Sequence, residues 1–326
     1  MITCGTFCVK IGDMSNPNIL ISDGLDEKGQ SILRESAKVD DRTDIPADDL
    51  LKVIPEYDGL VVRGRTKVTA SVMEAGTRLK VIGRAGVGVD NIDLETAKKR
   101  NITVVNTPMS TTVAVAELTF GLMLSLAREI PRGDIAMKQG KWLKKELEGM
   151  ELSGKTLGVI GMGRIGTQVG KYASAFGMNV IAYNPQVTED EIKERGAEPV
   201  SIQDLFAWSD YISLHLPYTV QTRDLVGPLA FSQMKDGVRI VSTARGGIID
   251  EAALLAALNS GKVAGAALDV FEQEPPGLKE LVSHPRVIAT PHIGAQTAEA
   301  QSRASEDIAV EVLSALQNKP LRWKVN

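Results

Sequence analysis

Gly161-Met162-Gly163-Arg164-Ile165-Gly166 fits the spacing G-x-G-x-x-G. Three glycines in six residues carry little weight alone, and the context strengthens them. TLGVIG reads as a strand running into the motif, and Ile165, Val169, Tyr172 and Phe176 give the next segment one apolar helical face. In such a turn the first glycine permits the tight bend and the second lets backbone N–H groups approach a pyrophosphate. The third lets helix and strand pack closely, and the helix N-terminus turns its partial positive charge toward the phosphates. A dinucleotide is the expected ligand. Where an acidic side chain would grip the adenosine ribose, NVIAYN ends in Asn184. Asparagine can still accept a hydrogen bond, but it lacks the charge that repels a 2′-phosphate, and no Arg or Lys follows in Asn184-Pro185-Gln186-Val187. NAD is expected ahead of NADP, with weak discrimination that leaves NADP possible.

A nicotinamide enzyme working on an alcohol or ketone needs a general acid/base and a cation for the substrate. The chain has 3 histidines. His284, in SHPRV, reads as a solvated loop side chain, and His215, inside YISLHL, as a packed structural one. His292, in ATPHIGAQ, follows the strand VIAT directly, at the carboxyl end where open parallel sheets place their chemistry. The same logic selects Arg245 in STARGGIID, whose two following glycines are expected to let a ligand approach the backbone. It also selects Glu274 in DVFEQEPP, in a loop stiffened by two prolines. Together they could place a carboxylate on one imidazole nitrogen, fixing its tautomer. The other nitrogen would trade a proton with a substrate oxygen while the guanidinium forks onto a substrate carboxylate. Three unrelated surface residues are the bland alternative.

These residues need a frame of strands. Asn18–Ser22, Gly59–Arg63, Leu79–Ile82 and Ile102–Asn106 read as one series, with helical stretches such as Ala47–Ile54 between them. Thr156–Gly161, Asn179–Asn184, Tyr211–Leu216, Val238–Thr243, Ala264–Asp269 and Val287–Thr290 form a second. Strands apolar on both faces and separated by helices indicate parallel sheets covered on both sides. The expected fold is α/β: two doubly wound, Rossmann-like parallel-sheet domains with an interdomain cleft. Residues 110–293 would form the dinucleotide-binding domain, and 1–109 with 294–326 a discontinuous substrate-binding domain. The last helix, about Ala295–Gln317, would pack back on the first domain. Thr111–Arg128, apolar on nearly all faces, is expected to be buried all round at a domain or subunit boundary. Arg132, Lys138, Lys141, Lys144 and Lys145 around Trp142 read either as a solvated basic face or as an arm for an anion or a neighbouring subunit.

At 326 residues the chain has room for about two domains. Apolar residues make up 43% and charged residues 24%, which argues against global disorder, and the net charge of −4 argues against a nucleic-acid partner. No apolar run has the length of a membrane span, and the N-terminus lacks the pattern of a secretory signal. Two cysteines, Cys4 and Cys8, exclude a disulfide framework and a closed metal site, so no metal is expected and a reducing cytoplasm fits. Residues 1–17 are expected to be a flexible tail.

GMGRIG, STARGGIIDE, AALDVFEQEP and TPHIGA together resemble the NAD-dependent D-2-hydroxyacid dehydrogenases. RAGVGVDNIDL, the opening LISDGLD and the last residues are similar to the branch of that family acting on 3-phosphoglycerate, from about Asn18 to Asn326. The resemblance implies a catalytic set of Arg245, Glu274 and His292. It implies that Asp269 meets the nicotinamide carboxamide and that Gly161, Gly163, Arg164, Ile165, Gly166, Thr243, Ala244 and Gly294 border the cofactor. Substrate would lie on the amides of Val87 and Gly88, with Arg63, Arg84 and Lys144 near its anionic end. A homodimer built through the dinucleotide domain is implied as well. Two departures stand out: Asn184 replaces the usual aspartate, and NTPMSTT puts Thr111 and Thr112 where that branch carries Asn-Ser, leaving the cofactor pocket one amide short. The expected reaction is hydride exchange between NAD and a small D-2-hydroxy acid, with 3-phosphoglycerate ahead of 3-sulfolactate, glycerate and lactate-like acids. A non-catalytic NAD-sensing scaffold is the reading from another class. Formate and phosphite dehydrogenases share the fold, but the formate enzymes pair their histidine with glutamine where this chain has Glu274.

Overall fold

A computed structural model describes residues 16–277 and 279–326. Cys4, Cys8 and residues 1–15 of the expected tail lie outside the described residues. The chain divides into two compact units. One holds the described residues up to Ser110 together with Gln301–Asn326, the other Thr111–Ala300.

The first unit is a parallel sheet of β1 (Asn18–Ile21), β2 (Lys38–Asp41), β3 (Gly59–Val62), β4 (Val81–Arg84) and β5 (Thr103–Asn106), ordered β2-β1-β3-β4-β5. Alternate residues face opposite sides of a strand. Leu20, Leu60, Val62, Ile82 and Val104 enter one apolar cluster while Ile19, Ile21, Val61, Val81 and Val105 enter another. The second unit comprises β6 (Thr156–Ile160), β7 (Asn179–Tyr183), β8 (Glu198–Pro199), β9 (Tyr211–Leu214), β10 (Val238–Ser242), β11 (Val263–Leu268) and β12 (Val287–Ala289). Its order is β12-β11-β10-β9-β6-β7-β8, again parallel throughout. Ile160, Ile212, Leu214, Ile240 and Leu268 face one core, and Leu157, Val159, Tyr211, Val241 and Ala267 the other. The strand order reverses between β1 and β3 in one sheet and between β6 and β9 in the other. Doubly wound sheets leave a crevice at such points, beyond the carboxyl ends of the strands.

Several expectations change. β2 (KVDD) and β8 (EP) have no apolar signal because both are edge strands, β2 with no fully buried residue. The strand expected at Leu79–Ile82 runs Val81–Arg84, so Arg84 closes it beside Asn106. YISLHL leaves the ladder at Leu214, and His215 lies beyond it. The helix Thr112–Arg128 is not buried all round: Val113, Glu117, Gly121 and Arg128 follow one another at helical spacing along an open stripe. The last helix is Ala298–Leu316. No described helix is long and apolar enough to cross a membrane.

Candidate active site

After β6 the chain turns at Gly161, at φ 101°, and enters the helix Arg164–Ala175 with Gly163 as N-cap. A Cβ on Gly161 would sit 2.7 Å from the carbonyl carbon of His215, and one on Gly166 would sit 2.1 Å from the Gly161 oxygen. Side chains are thereby excluded from the turn. Beside Gly163 there is open space, and the first N–H groups of the helix have no intrahelical partner. This cradle fits a dinucleotide pyrophosphate. Arg164 is exposed and Ile165 half-buried, packed against the core beneath. Sequence reasoning missed Arg195, whose Nη1 donates to the Met162 carbonyl at 2.6 Å and so ties the loop to a neighbouring helix. Asn184 Oδ1 accepts from the Gln186 N–H at 3.0 Å, closing a local turn where the ribose-binding acid was missing. At the end of β10, Thr243 is buried, and its hydroxyl lies 2.8 Å from that of Thr119. Thr119 shares its helix with Thr112, Glu117, Ser125 and Arg128, so no signal in the sequence singles it out. Thr112 Oγ1 is buried with no partner among the described residues.

β10, β11 and β12 are adjacent, so the loops leaving them meet. His292 Nδ1 lies 2.7 Å from Glu274 Oε2. Burial opposes ionisation of Glu274, but the hydrogen bond and charge of His292, the Phe271 N–H at 3.2 Å and the charge of Arg245 outweigh it. The carboxyl is held below its ordinary range. An ionised carboxylate only accepts, so Nδ1 carries the hydrogen, and in the neutral form of the ring Nε2 is the acceptor. Arg245 donates from Nη1 to the Ala244 carbonyl at 2.7 Å. The glycines after it do not serve as expected. A Cβ on Gly246 would come within 1.9 Å of the Phe271 oxygen, and the Tyr218 ring lies 2.9 Å from where one would be on Gly247. It is the chain itself, through the Glu274 loop and Tyr218, that closes on this turn. His292 has φ 53°, in the left-handed region, and the loop around it is tied to the buried Asp269: Thr290, Ile293 and Gly294 all donate to that carboxylate. His215 is enclosed, with Nε2 against Ser213 Oγ at 2.7 Å, and burial pushes its imidazole down to about 3, leaving it neutral. His284 is half-buried, its Nδ1 accepting from the Arg286 N–H.

In the first unit Arg63 follows β3 and Arg84 ends β4, at the same edge of the sheet. Burial lowers the Arg63 guanidinium despite the opposing charge of Asp23. Asp23, which sequence reasoning missed, accepts from the N–H groups of Arg63 (2.8 Å) and Thr66 (3.1 Å), and Asn91 Nδ2 donates to the carbonyls of both residues. Both fix the turn carrying Arg63. Arg84 folds back over Gly86. The following loop is held by Asn106 Nδ2 donating to the Val87 carbonyl at 2.6 Å and by the Thr107 N–H donating to Gly86. Lys144 is exposed on the segment after the helix Ile130–Lys138.

Comparison with known proteins bears on this arrangement. A family model described as the NAD binding domain of D-isomer specific 2-hydroxyacid dehydrogenases matches residues 120–294. Over 309 residues, 94% of this chain, the sequence is 45% identical to the D-3-phosphoglycerate dehydrogenase of Rattus norvegicus, of which it spans 58%. Over 307 residues it is 48% identical to the hydroxypyruvate reductase of Thermotoga maritima, covering 93% of this chain and 99% of that one. The D-lactate dehydrogenase of Aquifex aeolicus, solved with NAD and lactic acid, has a TM-score of 0.80 and 34% identity over 92% of this chain and 96% of that one. The chain therefore belongs to the D-isomer specific 2-hydroxyacid dehydrogenases.

Proposed function

We propose that the protein is an NAD-dependent dehydrogenase of small D-2-hydroxy acids. The observation that carries this reading is the 2.7 Å pair of His292 Nδ1 and Glu274, within reach of the charge of Arg245 and in the same unit as the glycine cradle. Bound nicotinamide supplies the hydride acceptor or donor. His292 Nε2 takes the hydroxyl proton during oxidation and returns it during reduction, while Glu274 stabilises the imidazolium. Arg245 forks onto the substrate carboxylate and polarises the C2 oxygen. Gly161, Gly163, Arg164, Ile165, Gly166, Asn184, Thr243, Ala244, Asp269 and Gly294 are the proposed cofactor-binding residues. In the first unit Arg63, Arg84 and the amides of Val87 and Gly88 are proposed to bind substrate, joined by Lys144.

Three arginine or lysine side chains suit a substrate with an anionic group on C3. 3-Phosphoglycerate, with 3-phosphohydroxypyruvate as its keto partner, therefore leads. The likeness over nearly the whole length of a hydroxypyruvate reductase favours glycerate and hydroxypyruvate as the second reading. NADH absorbance followed across a panel of 2-hydroxy and 2-keto acids, with NAD and NADP, separates the two. His292→Asn is expected to lower kcat by roughly 10²-fold or more while leaving NAD affinity close to wild type. Unchanged turnover would dispose of the assignment.

We also propose a homodimer. Ile130, Ile135, Met137 and Trp142 are each more than half exposed within thirteen residues, Trp142 at 74%. Beside them lies a groove of about 750 Å³ lined by Leu126, Ile135, Gly265, Pro285, Val287 and Ile288, suited to a second copy.

A further inference from the structure

Glu274 fixes one nitrogen of the imidazole, but a hydrogen bond to a ring does not hold the backbone from which that ring projects. At His292 the backbone needs holding. Its φ of 53° lies in a region that side-chain-bearing residues occupy only when the surroundings impose it. The imposing group is a carboxylate. Asp269, just after β11 and 1% exposed, accepts on Oδ1 from Thr290 Oγ1 at 2.6 Å and from the Ile293 N–H at 2.8 Å. On Oδ2 it accepts from the Gly294 N–H at 2.8 Å. One donor thus precedes His292 and two follow it, so a single side chain grips the turn on both sides. A Cβ on Gly294 would stand 3.1 Å from Oδ2 and 3.4 Å from the Val115 side chain, a tight fit that glycine relieves. Asp269 is itself anchored, its N–H donating to the Ser242 carbonyl at the end of β10.

We infer that Asp269 is a positioning residue, holding the left-handed turn that carries His292 and thereby aligning the imidazole with Glu274. The inference rests on the catalytic reading of His292 and assigns Asp269 work beyond meeting a nicotinamide carboxamide. A carboxylate has about four acceptor positions, and three of them are occupied from within this loop. The two roles separate by experiment, because a cofactor contact acts through NAD binding whereas a grip on the turn acts on the imidazole with no ligand present.

Two variants decide it, Asp269→Asn and Thr290→Val, each measured for kcat and NAD affinity. In the free enzyme each is also examined for the low-field proton resonance of the Nδ1–H shared with Glu274, identified by its loss in His292→Asn. Asp269→Asn sets an amide NH2 against backbone N–H groups, so the resonance should vanish and kcat at saturating NAD should fall by about 10²-fold. Thr290→Val removes one of the three bonds and leaves the carboxylate in place. It should weaken the resonance and lower kcat by about three- to tenfold with NAD affinity unchanged. Wild-type resonance and kcat in both variants, with only the KM for NAD raised, would overturn the inference. If Asp269→Asn does not fold, an unaltered Thr290→Val overturns it alone. The resonance needs no turnover, so a protein inert toward every hydroxy acid would refute the proposed reaction and still allow this test.

Discussion

At Asn184 a single atom exchange is expected to bear on cofactor choice. Its Oδ1 closes a turn onto the Gln186 N–H, a bond that an aspartate oxygen would make equally well. What the amide lacks is the negative charge that repels a 2′-phosphate. Asn184→Asp is therefore expected to leave kcat/KM with NAD within a few-fold and to lower it with NADP by about tenfold or more, read from initial rates with each cofactor. An unaltered ratio would show that cofactor choice is made elsewhere. At Gly246 residue type misleads in the opposite direction, whereas the packed reading of His215 holds. The histidine is enclosed and neutral, and the glycine makes room for Phe271 rather than for a ligand.

Between strands, both units use one device. Asp58, immediately before β3, accepts from the Asn18 N–H at the start of β1 (3.1 Å), from Arg78 (2.9 Å) and from Lys80 (3.1 Å). Asp210, immediately before β9, accepts from the Thr156 N–H at the start of β6 (2.8 Å) and from Lys235 (3.0 Å). Each pins the amino ends of the two strands that flank the reversal in its sheet. Burial works against both charges, but the backbone N–H and the neighbouring cations prevail, holding both carboxyls below the ordinary range. A lowered folded value means that the stabilisation is complete above the unfolded pKa of about 4 and is lost as pH falls through the folded one. Asp58→Asn should cost about 1–3 kcal/mol at neutral pH, with the deficit narrowing near pH 3. Urea midpoints of both proteins at the two pH values provide the check, and a deficit independent of pH would contradict the account.

For the whole molecule, the open stripe on the helix Thr112–Arg128 and the exposed apolar side chains after it are where a second chain is expected. Fully burying a large apolar side chain contributes about 1.5–3 kcal/mol. Replacing both Ile135 and Met137 with Asp should therefore weaken association by at least about 10²-fold. Analytical ultracentrifugation across a dilution series would show it, and a wild-type protein monomeric at high concentration would remove the proposal.

The glycine turn, the apolar strands and the three strand-end residues Arg245, Glu274 and His292 were legible in the sequence because each is a local pattern. Strand and helix periodicities are written in neighbouring residues, and parallel strands all deliver their carboxyl ends to one edge of a sheet. Which ends become neighbours was not legible. The adjacency of β10, β11 and β12, the grip of Asp269 on a loop more than twenty residues away and the reach of Asp23 to the Arg63 turn, 40 residues on, are pairings across the chain. Such pairings leave no periodic trace, since any carboxylate and any N–H could satisfy one another. Only packing both sheets against their helices decides which of them meet.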